Sequence, residues 1–206
     1  MKFFNSIGPN PRLVRMFAAE KGIELPETVE VDLMGGENRR APFTDRNPAG
    51  QLPALELDDG TTIAETIAIC EYLEELHPEK PLIGGTPEER AVTRMWTRRV
   101  EFKVNNPLAD GFRFAEGLPL FKERLRVIPE AADGLKAAAR EGMAWFDAQL
   151  AGRDFIAGDR FTLADITLFA FLDFGATVGQ PVDPGLANLN AWLKRVRSRP
   201  SAAASQ

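Results

Sequence analysis

Lys2 to Asn5 places two phenylalanines between polar neighbours, the pattern of a short strand. Ser6 to Pro11 is then a cluster of turn residues, Ser-Ile-Gly-Pro-Asn-Pro. From Arg12 apolar positions recur at helical spacing, at Leu13, Val14, Met16, Phe17 and Ala18. Pro11 suits a first helical position and Gly22 a C-terminal cap, so a helix is expected between them. Thr28 to Leu33 reads as a second strand. Strand, helix and strand in so short a span predict a parallel βαβ unit. After a polar segment, Gly35 to Gly50, the runs Ala54–Leu57 and Thr61–Ile63 flank Asp58-Asp59-Gly60, a hairpin signal. From Glu65 the helical period returns with Ile69, Leu73 and Leu76. The order βαβ, then ββα, is that of a thioredoxin-like domain.

His77 to Gly85, rich in Pro and Gly, marks the natural boundary, and no convincing strand follows it. The expected division is a thioredoxin-like domain over 1–78 and an all-helical domain over 86–206. Thr86-Pro87-Glu88-Glu89 predicts a helix start, with Thr86 as N-cap, Pro87 at the first position and Glu89 reaching back in a capping box. Helical patterns run over Arg90 to Phe114 and Leu118 to Leu150. Pro107 should kink or divide the first, because it lacks a backbone donor. Phe161-Thr-Leu-Ala-Asp-Ile166 predicts another start, with Thr162 as N-cap, Asp165 three residues on, and Phe161 and Ile166 as a hydrophobic staple.

Composition narrows the function. The 206 residues are 44% hydrophobic and 27% charged, ordinary for a globular chain. A formal net charge of −5 lacks the basic excess of a nucleic-acid surface. No apolar run reaches the roughly 18 residues of a transmembrane helix. One cysteine, Cys70, leaves no intramolecular disulfide or CxxC pair, and its place on an apolar helical stripe reads as packing. A cytoplasmic location is the simplest expectation. His77 is the only histidine and has no neighbouring Cys or His, so no metal site is expected.

The segment with most chemistry is Asn47-Pro-Ala-Gly-Gln-Leu-Pro53, followed twelve residues later by Glu65-Thr66. A residue before proline is pushed toward extended backbone, so Leu52 can offer a strand edge to a peptide. Pro53 ends a turn where a cis bond is plausible. Glu65 and Thr66 begin a helix, where free N–H groups favour a ligand carboxylate and Thr66 adds a hydroxyl. The Glu65 carboxylate suits a ligand ammonium. A backbone edge, a carboxylate receptor and an ammonium receptor together match γ-glutamyl-cysteinyl-glycine.

Through NPAGQLPAL with ET at that spacing, and RLVRMFAAEKGI in the first helix, the chain resembles the cytosolic glutathione transferases of the bacterial, two-domain type. FTLADI resembles the folding motif of their helical domain. The resemblance implies an α/β thioredoxin-like N-terminal domain, an all-α C-terminal domain, glutathione as co-substrate, an electrophilic or disulfide second substrate, a homodimer and a role in detoxification. By it Leu52 pairs with the cysteinyl backbone, Pro53 is cis, Glu65 and Thr66 hold the γ-glutamyl end, and Gln51 and Arg39 stand near the glycyl carboxylate.

One position departs from the family. The usual hydroxyl falls on Gly8, and no Cys or Tyr lies nearby. Asn10 and Ser6 are the remaining side-chain candidates for stabilising the glutathione sulfur, the alternatives being helix capping for Asn10 and a turn for Ser6. Three readings stay open: conjugation to an electrophile, glutathione-dependent reduction of disulfides or peroxides, and glutathione binding without catalysis.

Overall fold

In the computed structural model, which describes residues 1–206, β1 spans Lys2–Asn5 and buries Phe3 and Phe4. The first helix, α1, spans Pro9–Lys21 and begins earlier than its apolar period suggests, with Pro9 rather than Pro11 leading it. Pro11 is tolerated because the N–H groups of a first turn have no intrahelical partner to lose. Gly22 closes α1 in the left-handed conformation (φ 73°), its N–H reaching Ala18 and Ala19 carbonyls. Strand β2, Glu27–Glu30, pairs in parallel with β1. The expected polar segment contains a 3₁₀ turn, Glu37–Arg39, and a short helix α2, Phe43–Arg46. Strands β3, Ala54–Glu56, and β4, Thr62–Ala64, form the Asp-Asp-Gly hairpin, and α3 spans Thr66–Leu76. The sheet order is β2-β1-β3-β4, with β3 antiparallel to both neighbours. This is the thioredoxin-like arrangement.

The helical part begins with α4, Pro87–Val100. Thr86 caps it, its hydroxyl accepting from the Glu89 N–H at 3.2 Å. The Glu89 carboxylate reaches past Thr86 to accept from the Gly85 N–H at 2.7 Å, so the expected box is shifted by one residue. Pro107 does divide the helix, through a π-helical turn over Glu101–Asn105 that leads into α5, Asn106–Arg113. Without a proline N–H, the Lys103 carbonyl has no α-helical donor, and Gly142 packs so close to it that a Cβ there would collide with its oxygen. The long pattern from Leu118 to Leu150 is not one helix. It resolves into α6, Leu118–Phe121, a 3₁₀ turn at Pro129–Ala131, and α7, Ala132–Gln149.

Helix α8, Leu163–Thr177, is buried along most of its length, and α9, Ala187–Arg197, and α10, Pro200–Ala204, complete the chain. Asp165 holds the start of α8. One carboxylate oxygen accepts from the Thr162 N–H (2.9 Å) and hydroxyl (3.0 Å), the other from the Ile156 N–H and Trp192 Nε1 (both 2.9 Å). Burial pushes its pKa up, while these hydrogen bonds pull the other way. Trp96 and Phe112 pack against other aromatic rings. Trp96 is buried against Trp145 and Phe146, and Phe112 meets Phe121 and Phe174 edge-on.

The chain divides into one unit of Met1–Pro81 with Pro200–Gln206, and a second of Leu82–Arg199. The expected division assigned 86–206 as a block; its last seven residues instead group with the first unit, where α10 packs on α1. Within that unit Lys21 is fully buried and holds the exit of α3. Its Nζ reaches Glu74 Oε2 at 3.1 Å and the Glu79 and Lys80 carbonyls at 2.9 and 3.2 Å.

Candidate functional site

The register of the sheet gathers the candidate residues. Ala54 pairs with Phe4 on one side and Ala64 on the other. Beyond that rung, three segments leave the same end of the sheet: Asn5 to Asn10, Gln51 to Pro53, and Glu65 to Thr66. Helices α1 and α3 both start there, so both present their positive ends to one place.

Leu52 lies two residues outside the β3 ladder, and the Leu52–Pro53 bond is cis. Its side chain packs on a buried cluster of Phe4, Val31, Phe43 and Ala54. That anchor commits the side chain inward and leaves the backbone as the part available to a peptide. Gln51 is exposed and Pro53 buried.

Two asparagines hold this segment from beneath. Asn38, 1% exposed, donates from Nδ2 to the Gly50 carbonyl at 2.6 Å. Asn47 donates from Nδ2 to the Gln51 carbonyl at 2.8 Å, and its own carbonyl accepts from the Gly50 N–H at 2.8 Å. Gly50 has φ 59°, and a Cβ on it would stand 2.8 Å from the Asn38 carbonyl oxygen. Arg39, half-buried, donates from Nη1 to the Ala49 carbonyl at 3.2 Å, two residues from Gln51. Sequence reasoning passed over Asn38, Asn47 and Gly50. Asn47 and Gly50 lie inside the motif that drew attention; Asn38 carries no signal beyond being polar in a polar stretch.

Glu65 is the N-cap residue of α3, and no side chain caps the helix. Its backbone has φ 68° and ψ 118°, one of two non-glycine residues with positive φ. Such a conformation costs of order 1–3 kcal/mol and concentrates at functional sites. Glu65 is exposed and Thr66 half-buried at the first helical position. The first-turn N–H groups of an 11-residue helix are therefore open to an anion, with a carboxylate beside them.

At α1 the geometry is different. Gly8 is the N-cap with φ 108° and ψ 172°, a region essentially confined to glycine, although a Cβ there would meet nothing within 4 Å. The backbone is thus shaped around glycine and does not simply lack a side chain. Pro9 and Pro11 have no N–H, and the Arg12 N–H is directed at the Gly8 carbonyl at 3.4 Å. Asn10, half-buried, supplies the only backbone N–H among the first three helical residues, together with a side-chain amide. Ser6 is buried and its hydroxyl donates to the Val31 carbonyl at 2.7 Å, so its proton is spent on the sheet. Cys70 is fully buried in α3, and burial pushes its thiol pKa well up.

A four-stranded mixed sheet flanked by helices and followed by an all-helical part is the arrangement of the two-domain transferase class. The chain matches the family models "Glutathione S-transferase, N-terminal domain" over residues 7–76 and "Glutathione S-transferase, C-terminal domain" over residues 118–200. Glutathione S-transferase 2 of Saccharomyces cerevisiae is 38% identical over 197 residues, 94% of this chain and 84% of that one. The crystal structure of Gtt2 from Saccharomyces cerevisiae superimposes with a TM-score of 0.91 at 36% identity, covering 100% of both chains. A glutathione S-transferase domain-containing protein of Marinobacter aquaeolei gives 0.92 at 40% identity, covering 98% of this chain and 99% of that one. The chain belongs to the glutathione S-transferase family and is a transferase of that kind.

Proposed function

We propose that this transferase binds glutathione along Gln51–Pro53 and at the start of α3, and uses its thiolate on a small electrophile. The observation that carries the reading is the uncapped N-terminus of α3 behind Glu65, at the same sheet end as the Leu52 edge. The γ-glutamyl carboxylate would meet the α3 N–H groups and the Thr66 hydroxyl, and its ammonium the Glu65 carboxylate. The cysteinyl backbone would pair with Leu52, and the glycyl carboxylate would lie toward Gln51 and Arg39.

Asn10 is favoured over Ser6 for the sulfur, because the Ser6 hydroxyl is already engaged by Val31. Lowering a thiol pKa by one unit needs about 1.4 kcal/mol of preference for the thiolate. Two amide donors at a helix N-terminus supply energies of that scale. The bound thiol should therefore titrate below its ordinary value of about 8.5.

The ultraviolet thiolate band of bound glutathione, followed against pH, tests this. Asn10→Ala removes a donor to the charged form, so the thiol pKa should rise by about one unit. Activity should then fall about tenfold at pH 6.5 and little at pH 9. Glu65→Ala should weaken glutathione about tenfold, a charge-assisted hydrogen bond being worth about 1.5 kcal/mol. Saturable binding with an unshifted thiol would replace the enzyme reading with a non-catalytic binder, the reading Gly8 favours. Turnover of mixed disulfides but not of electrophiles would move the activity to glutathione-dependent reduction. No binding would sink the site.

The protein acts as a homodimer in the cytoplasm on this reading, with detoxification as its role. Val92, Met95 and Phe102 support the dimer: they share one face running from α4 into the π turn and are 40%, 40% and 61% exposed. Sedimentation equilibrium should give twice the 22.7 kDa chain mass, and Phe102→Glu should shift it toward the monomer. A wild-type monomer at micromolar concentration would end the idea.

A further inference from the structure

The C-terminal segment Pro200–Gln206 is held by the first unit in detail. Ser201, Ala202 and Ser205 are buried. Ser201 Oγ donates to Glu20 Oε2 at 2.6 Å. Arg12 donates to Ser205 Oγ and to the Ala202 carbonyl, both at 3.4 Å. Arg15 grips the same turn from Nε and Nη2, at 3.1 and 2.9 Å from the Ser205 carbonyl.

Arg15 has a second set of acceptors. Its Nη1 donates to Asn5 Oδ1 at 2.6 Å and to the Ser6 carbonyl at 3.3 Å. Asn5 in turn donates from Nδ2 to Glu30 Oε1 at 2.6 Å. One planar guanidinium thus joins the tail, some 190 residues away in sequence, to the end of β1 and the first residue of the β1–α1 turn. A lysine could not do this, having a single point of donation where arginine has a rigid fork.

The turn has few other holds. The Ser6 hydroxyl ties it to the sheet through Val31. Beyond Ser6, Ile7 is 62% exposed, Gly8 stands in open space, and no side chain caps α1. Asn10 lies in the uncapped first turn of α1, so beyond the burial of Pro11 its setting depends on how firmly Ser6 holds the chain entering the helix.

We propose that the Pro200–Gln206 tail and Arg15 form a positioning device for the β1–α1 turn, fixing where the Asn10 amides stand relative to the glutathione sulfur. Arg15 is a positioning residue, and its role at sulfur rests on the glutathione reading above. The device predicts a separation of binding from activation. Leu52, Glu65 and Thr66 grip the tripeptide away from the sulfur, so loosening the turn leaves affinity intact and weakens only the hold on the thiolate.

The test compares the full chain with Arg15→Lys, which keeps the charge and loses the fork, and with a chain truncated after Arg199. Amide exchange at Arg12, whose N–H is directed at the Gly8 carbonyl, and at Val31, whose N–H bonds the Asn5 carbonyl, should rise about tenfold in both, with Phe3 and Leu55 unchanged, since a local opening leaves the sheet intact. The affinity for S-methylglutathione should stay within about twofold, while the thiol pKa of bound glutathione rises by about half a unit or more. If the truncated chain fails to fold, Arg15→Lys alone decides. Exchange unchanged at the turn, or raised equally across the sheet, overturns the proposal. So does faster exchange with an unmoved thiol pKa. If S-methylglutathione does not bind the intact protein, the glutathione reading fails and the sulfur role falls with it. The exchange data separate that failure from a turn that Arg15 never held.

Discussion

Asp165→Ala is expected to destabilise the helical unit by about 3–5 kcal/mol, one of the largest effects available to a single substitution in this chain. The carboxylate has 0% exposure and accepts four hydrogen bonds, two on each oxygen. Removing it strands the buried Thr162 and Ile156 N–H groups and the Trp192 indole, each a donor with no water to turn to. Summing four charge-assisted hydrogen bonds would overshoot, because one deletion lets neighbours relax and the energies are not additive. The cap alone is worth about 0.5–2 kcal/mol, and the stranded donors supply the rest. Urea unfolding should show the loss as a lower midpoint at constant slope. Asp165→Asn should cost about half as much. Its amide oxygen can keep Ile156 and Trp192, but its NH₂ group must face the Thr162 N–H. Equal stability of Asp165→Ala and the parent would mean that α8 is held by its apolar burial alone.

Gly50→Ala is expected to cost about 2–3 kcal/mol and to weaken glutathione tenfold or more. The left-handed backbone at φ 59° contributes about 1–2 kcal/mol for any residue with a Cβ. Contact adds to this: the new carbon would lie 2.8 Å from the Asn38 carbonyl oxygen and 3.1 Å from Arg39 Cδ. A backbone oxygen cannot swing away as a side chain does, so the Gly50–Leu52 segment must move, and with it the strand edge offered to the ligand. Gly60→Ala is the matched control, with φ 86° and nothing within 4 Å of the new Cβ. It should show the conformational cost without the collision and leave glutathione affinity alone. If both variants bind glutathione as the parent does, the segment before Pro53 is not the binding edge. Isothermal titration of the pair reads this directly.

Where structure is set by local chemistry, it was legible in the sequence. The Asp-Asp-Gly hairpin, the Gly22 cap, Thr86 and the Thr162–Asp165 pair each act through residues within a turn of one another. The misses arise where distant contacts decide. Residues 37–39 and 43–46 turn helical in a segment with no apolar period, held by Asn38 on Gly50 and by Phe43 meeting the Phe4 ring at 5.7 Å. The Leu118–Leu150 pattern breaks ahead of Pro129, and the period of its apolar residues does not show the break. Pro107 announced a break in the preceding helix but not its form: a π turn depends on what can fill the space, and here that is Gly142. For the candidate site, Leu52, Pro53, Glu65 and Thr66 were visible as candidates because their order along the chain is itself a signal. The residues beneath them were not, since Asn38 acts only through a contact that folding creates.

The return of Pro200–Gln206 to the first unit also bears on how the protein is made. The helical unit is an insertion in the thioredoxin-like one, so residues 1–81 leave the ribosome before it and yet can be completed only after it. At about 5–20 residues per second, the roughly 120 intervening residues impose a wait of some 6–24 seconds. During that wait Arg12 and Arg15 lack the acceptors that Ala202 and Ser205 will supply. Residues 1–81, which hold the sheet and the candidate site, therefore pass that interval without the tail that packs on α1.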